Sequence, residues 1–202
     1  MDWSLSYSAS YYVAVVDPFT WRDNGRFEIT SGSIKRTPTD LRQSADVSSI
    51  NYTTTDEEWI RIWMIARQGD EVEREAVFTG ITSTPDLEID GQKTTYSMQC
   101  YSVLKPAQDV LLPRGYYIPI DTDCKVIIKR LLSVTMAPVE IAYEEEILLQ
   151  SAIIAEDGEN NLSMVDKILD SLNWRLTIDG DGTINVGPQA EIPVYTFDSL
   201  VN

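Results

Sequence analysis

Carboxylates are the side chains through which this chain would do chemistry, if it did any. Its 202 residues include 32 Asp and Glu and no histidine. That absence removes Ser-His-Asp and Cys-His triads, HExxH zinc sites and every His-ligated metal together. Carboxylate, Lys, Tyr, Ser and Cys chemistry remains. A glycosidase needs only two carboxylic acids flanking a bound sugar, and Glu73, Glu75, Glu144, Glu145, Glu146 and Glu156 are candidates. None carries a sequence signature, and Glu144 to Glu146 read more simply as a solvated loop. Asp179-Gly-Asp181-Gly182 resembles a place for a hard cation, but an EF-hand loop needs further oxygen ligands ending in a bidentate Glu. Thr183-Ile-Asn-Val186 follows instead, so a hairpin turn is the better reading. Asp157, Glu159 and Asn161 also alternate, with Leu162 where such a loop requires glycine. That stretch reads as a turn into a helix cap, where acidic groups favour the positive end of the helix dipole. Neither GxGxxG nor a P-loop occurs. Cys100 and Cys124 lie among apolar neighbours and read as buried, reduced thiols. No catalytic, cofactor-binding or metal-ligating residue is assigned, and no cofactor is expected.

A second kind of surface is possible near the N-terminus, where Trp3, Tyr7, Tyr11, Tyr12, Phe19 and Trp21 are dense. Aromatics of this kind serve sugar or protein recognition, or a core. The formal charge of −16 repels phosphate, which proteins hold largely through Lys and Arg. Tight binding to nucleic acid or to an anionic membrane is not expected. The start of the chain lacks a basic region followed by an apolar one, and no run of about 18 apolar residues occurs. A soluble chain without a signal peptide or membrane insertion is expected.

The elements that must position these residues change character near residue 103. Before it, period-2 patterns dominate. Trp59 to Arg67 alternates Ile60, Ile62, Met64 and Ala66 against Trp59, Arg61, Trp63, Ile65 and Arg67. Gln68-Gly-Asp-Glu71 is a turn, and Val72 to Ser83 resumes with Val72, Ala76 and Phe78 opposite Glu73 and Glu75. These two segments form a hairpin. Asp90-Gly91 marks another turn, followed by Tyr96, Met98 and Cys100 on one face. Tyr11 to Val16, Arg26 to Lys35 and Ala45 to Tyr52 are further strands. Gly80 inside a strand marks a bulge or a close backbone approach. Six or more turn-linked strands predict a sandwich or small barrel.

After residue 103 the pattern is helical. Asp121 or Thr122 can cap a helix with Cys124, Ile127, Ile128, Leu131 and Leu132 inward and Lys125, Lys129 and Arg130 outward. A second helix starts with Asn161 as cap, buries Leu162, Val165, Ile168, Leu169 and Leu172, and turns Asp166, Lys167 and Asp170 to water. Trp174 to Ile178 and Thr183 to Val186 form a hairpin with Trp174, Leu176, Ile178, Ile184 and Val186 inward. A short helix falls within Ser102 to Leu112, ended by Pro113. The fold class is α+β, with domains 1–103 (β-barrel) and 104–202 (α/β module). Charge follows that order: residues 1–134 hold 14 basic and 19 acidic side chains, residues 135–202 hold 2 and 13.

The succession of segments resembles the N-terminal region of tail-hub, or baseplate-hub, proteins of tailed bacteriophages and prophages. The resemblance runs through Ile29-Thr-Ser-Gly-Ser-Ile-Lys-Arg36, Thr39-Asp-Leu-Arg-Gln-Ser-Ala45 and Val77-Phe-Thr-Gly-Ile-Thr-Ser-Thr-Pro85. It continues through Tyr101 to Gly115, and is clearest in Ile154-Ala-Glu-Asp-Gly-Glu-Asn-Asn-Leu-Ser-Met-Val165 and Asn173 to Pro188. It implies an antiparallel β-barrel related to tail-tube subunits, followed by a small α/β module. It further implies a homotrimer at the virion tail tip, with the tail tube protein, distal tail protein and tape measure protein as partners and DNA in passage. Only one barrel-like region is visible, where the family pattern has two per subunit. The alternatives are a carboxylate-dependent cell-wall glycosidase carried on the tail and a sugar-binding host-attachment module.

Overall fold

A computed structural model describes residues 6–50, 56–90 and 93–189. The chain begins with seven strands: β1 (Ser8–Asp17), β2 (Arg22–Arg36), β3 (Gln43–Ile50), β4 (Trp59–Gln68), β5 (Glu71–Thr82), β6 (Asp86–Asp90) and β7 (Lys93–Ser102). They hydrogen-bond in the order β3-β2-β1-β4-β5-β7-β6, and β3 also pairs with β7. That last pairing closes six strands into a ring and leaves β6 as a flap on β7. All pairs are antiparallel. Register shifts fall between Val13 and Val15, Ile29 and Ser31, and Ile62 and Trp63. Such bulges bend strands and raise their twist, which closure requires.

The ring is filled from within by Val13, Ala45, Val47, Ile60, Ile62, Phe78, Met98 and Cys100, with Phe27 and Ile29 of β2 packed against them. The alternation read from the sequence placed Ile60 and Ile62 of β4, Phe78 of β5, and Met98 and Cys100 of β7 on the inward face, where they lie. Gly80 is a close approach: a Cβ there would lie 2.0 Å from the Tyr101 carbonyl oxygen. Glycine lets β5 meet β7 and complete the closure. The β4–β5 hairpin forms as expected, but Val72 is 58 % exposed. It lies at the far end of the hairpin, beside exposed Glu71 and Glu73, away from the apolar interior.

After β7 come α1 (Lys105–Asp109), β8 (Tyr117–Ile118), α2 (Cys124–Leu132), a 3₁₀ turn (Ser133–Thr135), β9 (Val139–Ile141) and β10 (Ile153–Ile154). α3 (Asn161–Leu172), β11 (Trp174–Ile178) and β12 (Ile184–Pro188) complete the described chain. Cys124, Ile127, Ile128, Leu131 and Leu132 all face inward on α2, and meet Leu162, Met164, Val165, Ile168 and Leu169 of α3. Both caps differ from their expected places. Asp123, not Asp121 or Thr122, caps α2: it adjoins the first helical residue in an extended backbone and accepts from the Lys125 amide. Asn160 caps α3 by accepting from the Ser163 amide. Asn161 is the first helical residue and is buried, its amide donating to the Leu131 carbonyl at 3.0 Å.

The hairpin β11–β12 packs its expected apolar face on α3, and gains a strand that periodicity did not reveal. β9 runs parallel to β12, giving the order β11-β12-β9. β8 and β10 form a separate antiparallel pair. A second hydrophobic cluster runs from Val103 to Val186, with Trp21, Leu41 and Trp59 of the ring packed against its edge. Of the sequence expectations, Trp3, residues 51 and 52, and Gly91 lie outside the described residues.

Candidate functional site

The Asp179-Gly-Asp-Gly182 segment is the connection of the β11–β12 hairpin, closed by Asp179 N–H donating to the Thr183 carbonyl and Gly182 N–H to the Asp179 carbonyl. Its carboxylates are occupied locally. Asp179 Oδ2 accepts from Asn185 Nδ2 at 2.8 Å, and Asp181 Oδ1 from the Thr183 amide at 2.9 Å. No group of three or more Cys, Asp or Glu able to hold a metal occurs among the described residues. The outward-facing carbonyls instead receive donors from the ring. Trp21 Nε1 and Arg61 Nη2 each donate to Asp181 O at 3.0 Å, and Thr79 Oγ1 donates to Gly180 O at 2.8 Å. The loop thus works as a plug that seats the second part of the chain on the ring.

Arg61 organises that seat. It lies on the face of β4 opposite Ile60 and Ile62, yet its side chain is only 7 % exposed. Besides Asp181 it bonds Asp23 Oδ1 at 2.7 Å and Thr79 Oγ1 at 3.1 Å. Asp23 Oδ2 accepts from Trp63 Nε1 and from Arg74. Arg74 in turn stacks on the Trp63 ring at 3.7 Å, and Arg26 lies over Tyr12 at 3.9 Å. Part of the N-terminal aromatic density is therefore structural: Tyr12 is buried, and Trp21 meets Trp59 edge-on at 5.6 Å. Phe19, at 86 % exposed, is open to solvent.

A second seam joins Arg42 of the ring to Asp166 of α3 at 2.6 Å. Asp166 was expected to face water; α3 lies against the β2–β3 connection, so it faces Arg42 instead. Burial pushes its carboxyl up, and this outweighs the pull of the Arg42 guanidinium. Lys167 likewise has partners, bonding Glu159 Oε1 at 2.8 Å. Burial would push the Glu159 carboxyl up, but the Lys167 ammonium and the Glu156 amide hold it below the usual value. Glu159 and Glu156 form the expected turn into α3, joined by Glu156 N–H donating to Glu159 Oε2.

The glycosidase candidates Glu73, Glu75, Glu144, Glu145, Glu146 and Glu156 are all exposed. Neither of two clefts formed by described residues brings any of them together. One, of about 430 Å³, is lined by Arg36, Thr37, Pro38, Arg42, Gln43, residues 175–178 and Gln189 and holds no carboxylate. The other, of about 790 Å³, opens over β1 and β2 near Tyr11, Arg26 and Ile62, with Glu28 as its one acid. A carboxylate pair of the kind glycoside hydrolysis needs is absent from both. Cys100 and Cys124 are free and buried. Burial pushes the Cys100 thiol up to about 12, and raises Cys124 as well. No helix among the described residues is long and apolar enough to cross a membrane. The feature sequence reasoning missed is the Arg61 seat, whose partners lie 38 and 120 residues away.

No protein-family description and no curated protein matches the chain. Solved structures do. The 43 kDa tail protein of prophage MuSo2 from Shewanella oneidensis matches with a TM-score of 0.64 and 14 % identity, over 91 % of this chain and 56 % of that one. A tail protein from Neisseria meningitidis MC58 matches with a TM-score of 0.61 and 17 % identity, over 88 % of this chain and 51 % of that one. A Francisella PdpA–VgrG complex matches with a TM-score of 0.56 and 10 % identity, over 92 % of this chain and 32 % of the matched one. The chain spans about half the length of the two tail proteins. The resemblance carried by the sequence motifs is thus met in three dimensions: this chain has the fold of prophage tail proteins.

Proposed function

We propose that the chain is a structural component of a phage or prophage tail tip, in which copies of it form a ring joining the tail tube to the distal end. The observation that carries this reading is the shared fold with a prophage tail protein over nine-tenths of the chain. The six-stranded ring is then a β-barrel related to tail-tube subunits, forming a domain of residues 1–103, and residues 104–202 are an α/β module set on it. Three copies associate around an axis, as closed symmetric rings do. The tail tube protein, distal tail protein and tape measure protein are the partners, and DNA passes without being held. Part of the −16 charge faces the passage, where an acidic wall repels a polymer carrying one charge per roughly 1.7 Å of axis.

Native mass spectrometry over a concentration series tests the reading. A trimer that grows with concentration is expected; a monomer throughout overturns self-assembly by this region. Turnover of peptidoglycan would replace the structural reading with the glycosidase one, and saturable glycan binding with the attachment one.

A further inference from the structure

We propose that the cleft between the ring and β11 binds an extended acidic peptide of a partner protein, taken up as an added strand on β11. Among the described residues β11 is an edge strand, paired only with β12. The bonds Asp179 N–H to Thr183 O and Gln189 N–H to Asn173 O set the alternation of the hairpin. Arg175 and Thr177 therefore exchange bonds with Gly187 and Asn185, their register partners. Leu176 and Ile178 direct their N–H and C=O groups to the other edge, where no hydrogen bond from a described residue reaches them. Such an edge is a template for another strand.

The walls select the charge of that strand. Arg36 and Arg175 line the cleft with no carboxylate among its lining residues, beside Arg42, whose Nη2 is already held by Asp166, in a chain with twice as many acidic as basic side chains. Arg36 and Arg175 are exposed. The wall is also polar: Gln43 is 3 % exposed, and neither its Oε1 nor Arg42 Nε has a hydrogen-bond partner among the described residues. A volume of about 430 Å³ accommodates a few residues of extended chain. An acidic peptide meets both demands, since its backbone completes the β11 ladder and its carboxylates meet the guanidinium groups of Arg36 and Arg175. This inference does not depend on the tail-tip reading.

The test is an ¹H–¹⁵N NMR titration of the whole chain with the synthetic peptide Ac-Glu-Val-Glu-Val-Glu-NH₂. Saturable shifts and slowed hydrogen exchange at the Leu176 and Ile178 amides are expected. The Lys-for-Glu peptide and a peptide N-methylated at alternate residues should bind at least tenfold more weakly. Arg175→Glu, at an exposed position, should weaken binding tenfold while leaving the rest of the spectrum in place. No shift at Leu176 and Ile178 at millimolar peptide overturns the proposal, as does equal binding of the acidic and basic peptides. Protection of both amides before peptide is added, lost on removal of residues 190–202, also overturns it, because the chain's own end would then be the occupant.

Discussion

Arg61 on β4 donates from Nη2 to the main-chain oxygen of Asp181, 120 residues further along the chain. The same guanidinium holds Asp23 and Thr79, so one buried cation ties a strand of the ring, the start of β2 and the β11–β12 loop together. A buried charge with complete hydrogen bonding is tolerated; its removal leaves partners desolvated and unpaired. Arg61→Ala is expected to lower stability by about 3 kcal/mol. Arg74→Ala removes a half-exposed partner of the same Asp23 and should cost below about 1 kcal/mol. Urea unfolding of both variants checks the order, and equal costs would contradict the central place of Arg61.

Gly180 makes a backbone contact that no side chain can replace. A Cβ there would stand 1.7 Å from the Ala76 carbonyl oxygen, so Gly180→Ala must lift the loop from β5. The expected cost is about 1–3 kcal/mol, accompanied by movement of the Trp21 indole N–H resonance as its bond to Asp181 lengthens. Gly158→Ala is the control. It has positive φ but open space around it, and should cost roughly 1 kcal/mol without moving the Trp21 signal.

Local periodicity made much of this architecture legible. The five inward residues of α2 follow from spacing alone, because a helix face is set by residues within nine positions of one another. The inward residues of β4 and β7 were readable for the same reason in period two. Cap positions were less so: Asp121, Thr122 and Asp123 all have capping side chains, and Asn160 and Asn161 are the same residue type. Backbone conformation decides between such neighbours. β9 has three residues and pairs in parallel with a strand more than forty positions away, which leaves almost no local pattern. The seat of the hairpin loop was hidden for a related reason. Asp179 to Gly182 reads correctly as a turn, but its partners Trp21, Arg61 and Thr79 are contributed by three separate parts of the ring.

Both cysteines should be slow to react in the folded chain. Cys100 is fully buried and its thiol is pushed up to about 12, while Cys124 is buried at the start of α2 and raised by burial and by Asp123. The thiolate is the reactive form. Iodoacetamide at pH 8 is therefore expected to modify neither within the time that labels both in urea, read by intact mass. Rapid labelling of Cys100 without unfolding would mean that the ring opens locally.

The Glu159–Lys167 pair gives the protein an acid-sensitive contact of definite sign. The Glu159 side chain is 7 % exposed, and its burial acts to raise the carboxyl, but Lys167 and the Glu156 amide overcome this and leave it below its ordinary value of 4.5. As pH falls past about 4.5 the unfolded chain takes up this proton before the folded one does, so folding loses stability. The contribution is complete above the unfolded value and disappears as pH falls through the folded one. Asp166 works in the opposite direction, because its carboxyl, raised by burial, lets the folded chain bind a proton before the unfolded one does as pH falls. Glu159→Gln should therefore lower Tm at pH 7 and show a smaller drop in Tm between pH 6 and pH 3.5 than the parent chain, so that the two curves converge in acid. Circular dichroism melts at several pH values test this. Parallel curves would show that the Glu159 contact contributes no pH-dependent stability, and Asp166→Asn in the same series separates the opposing contribution from across the seam.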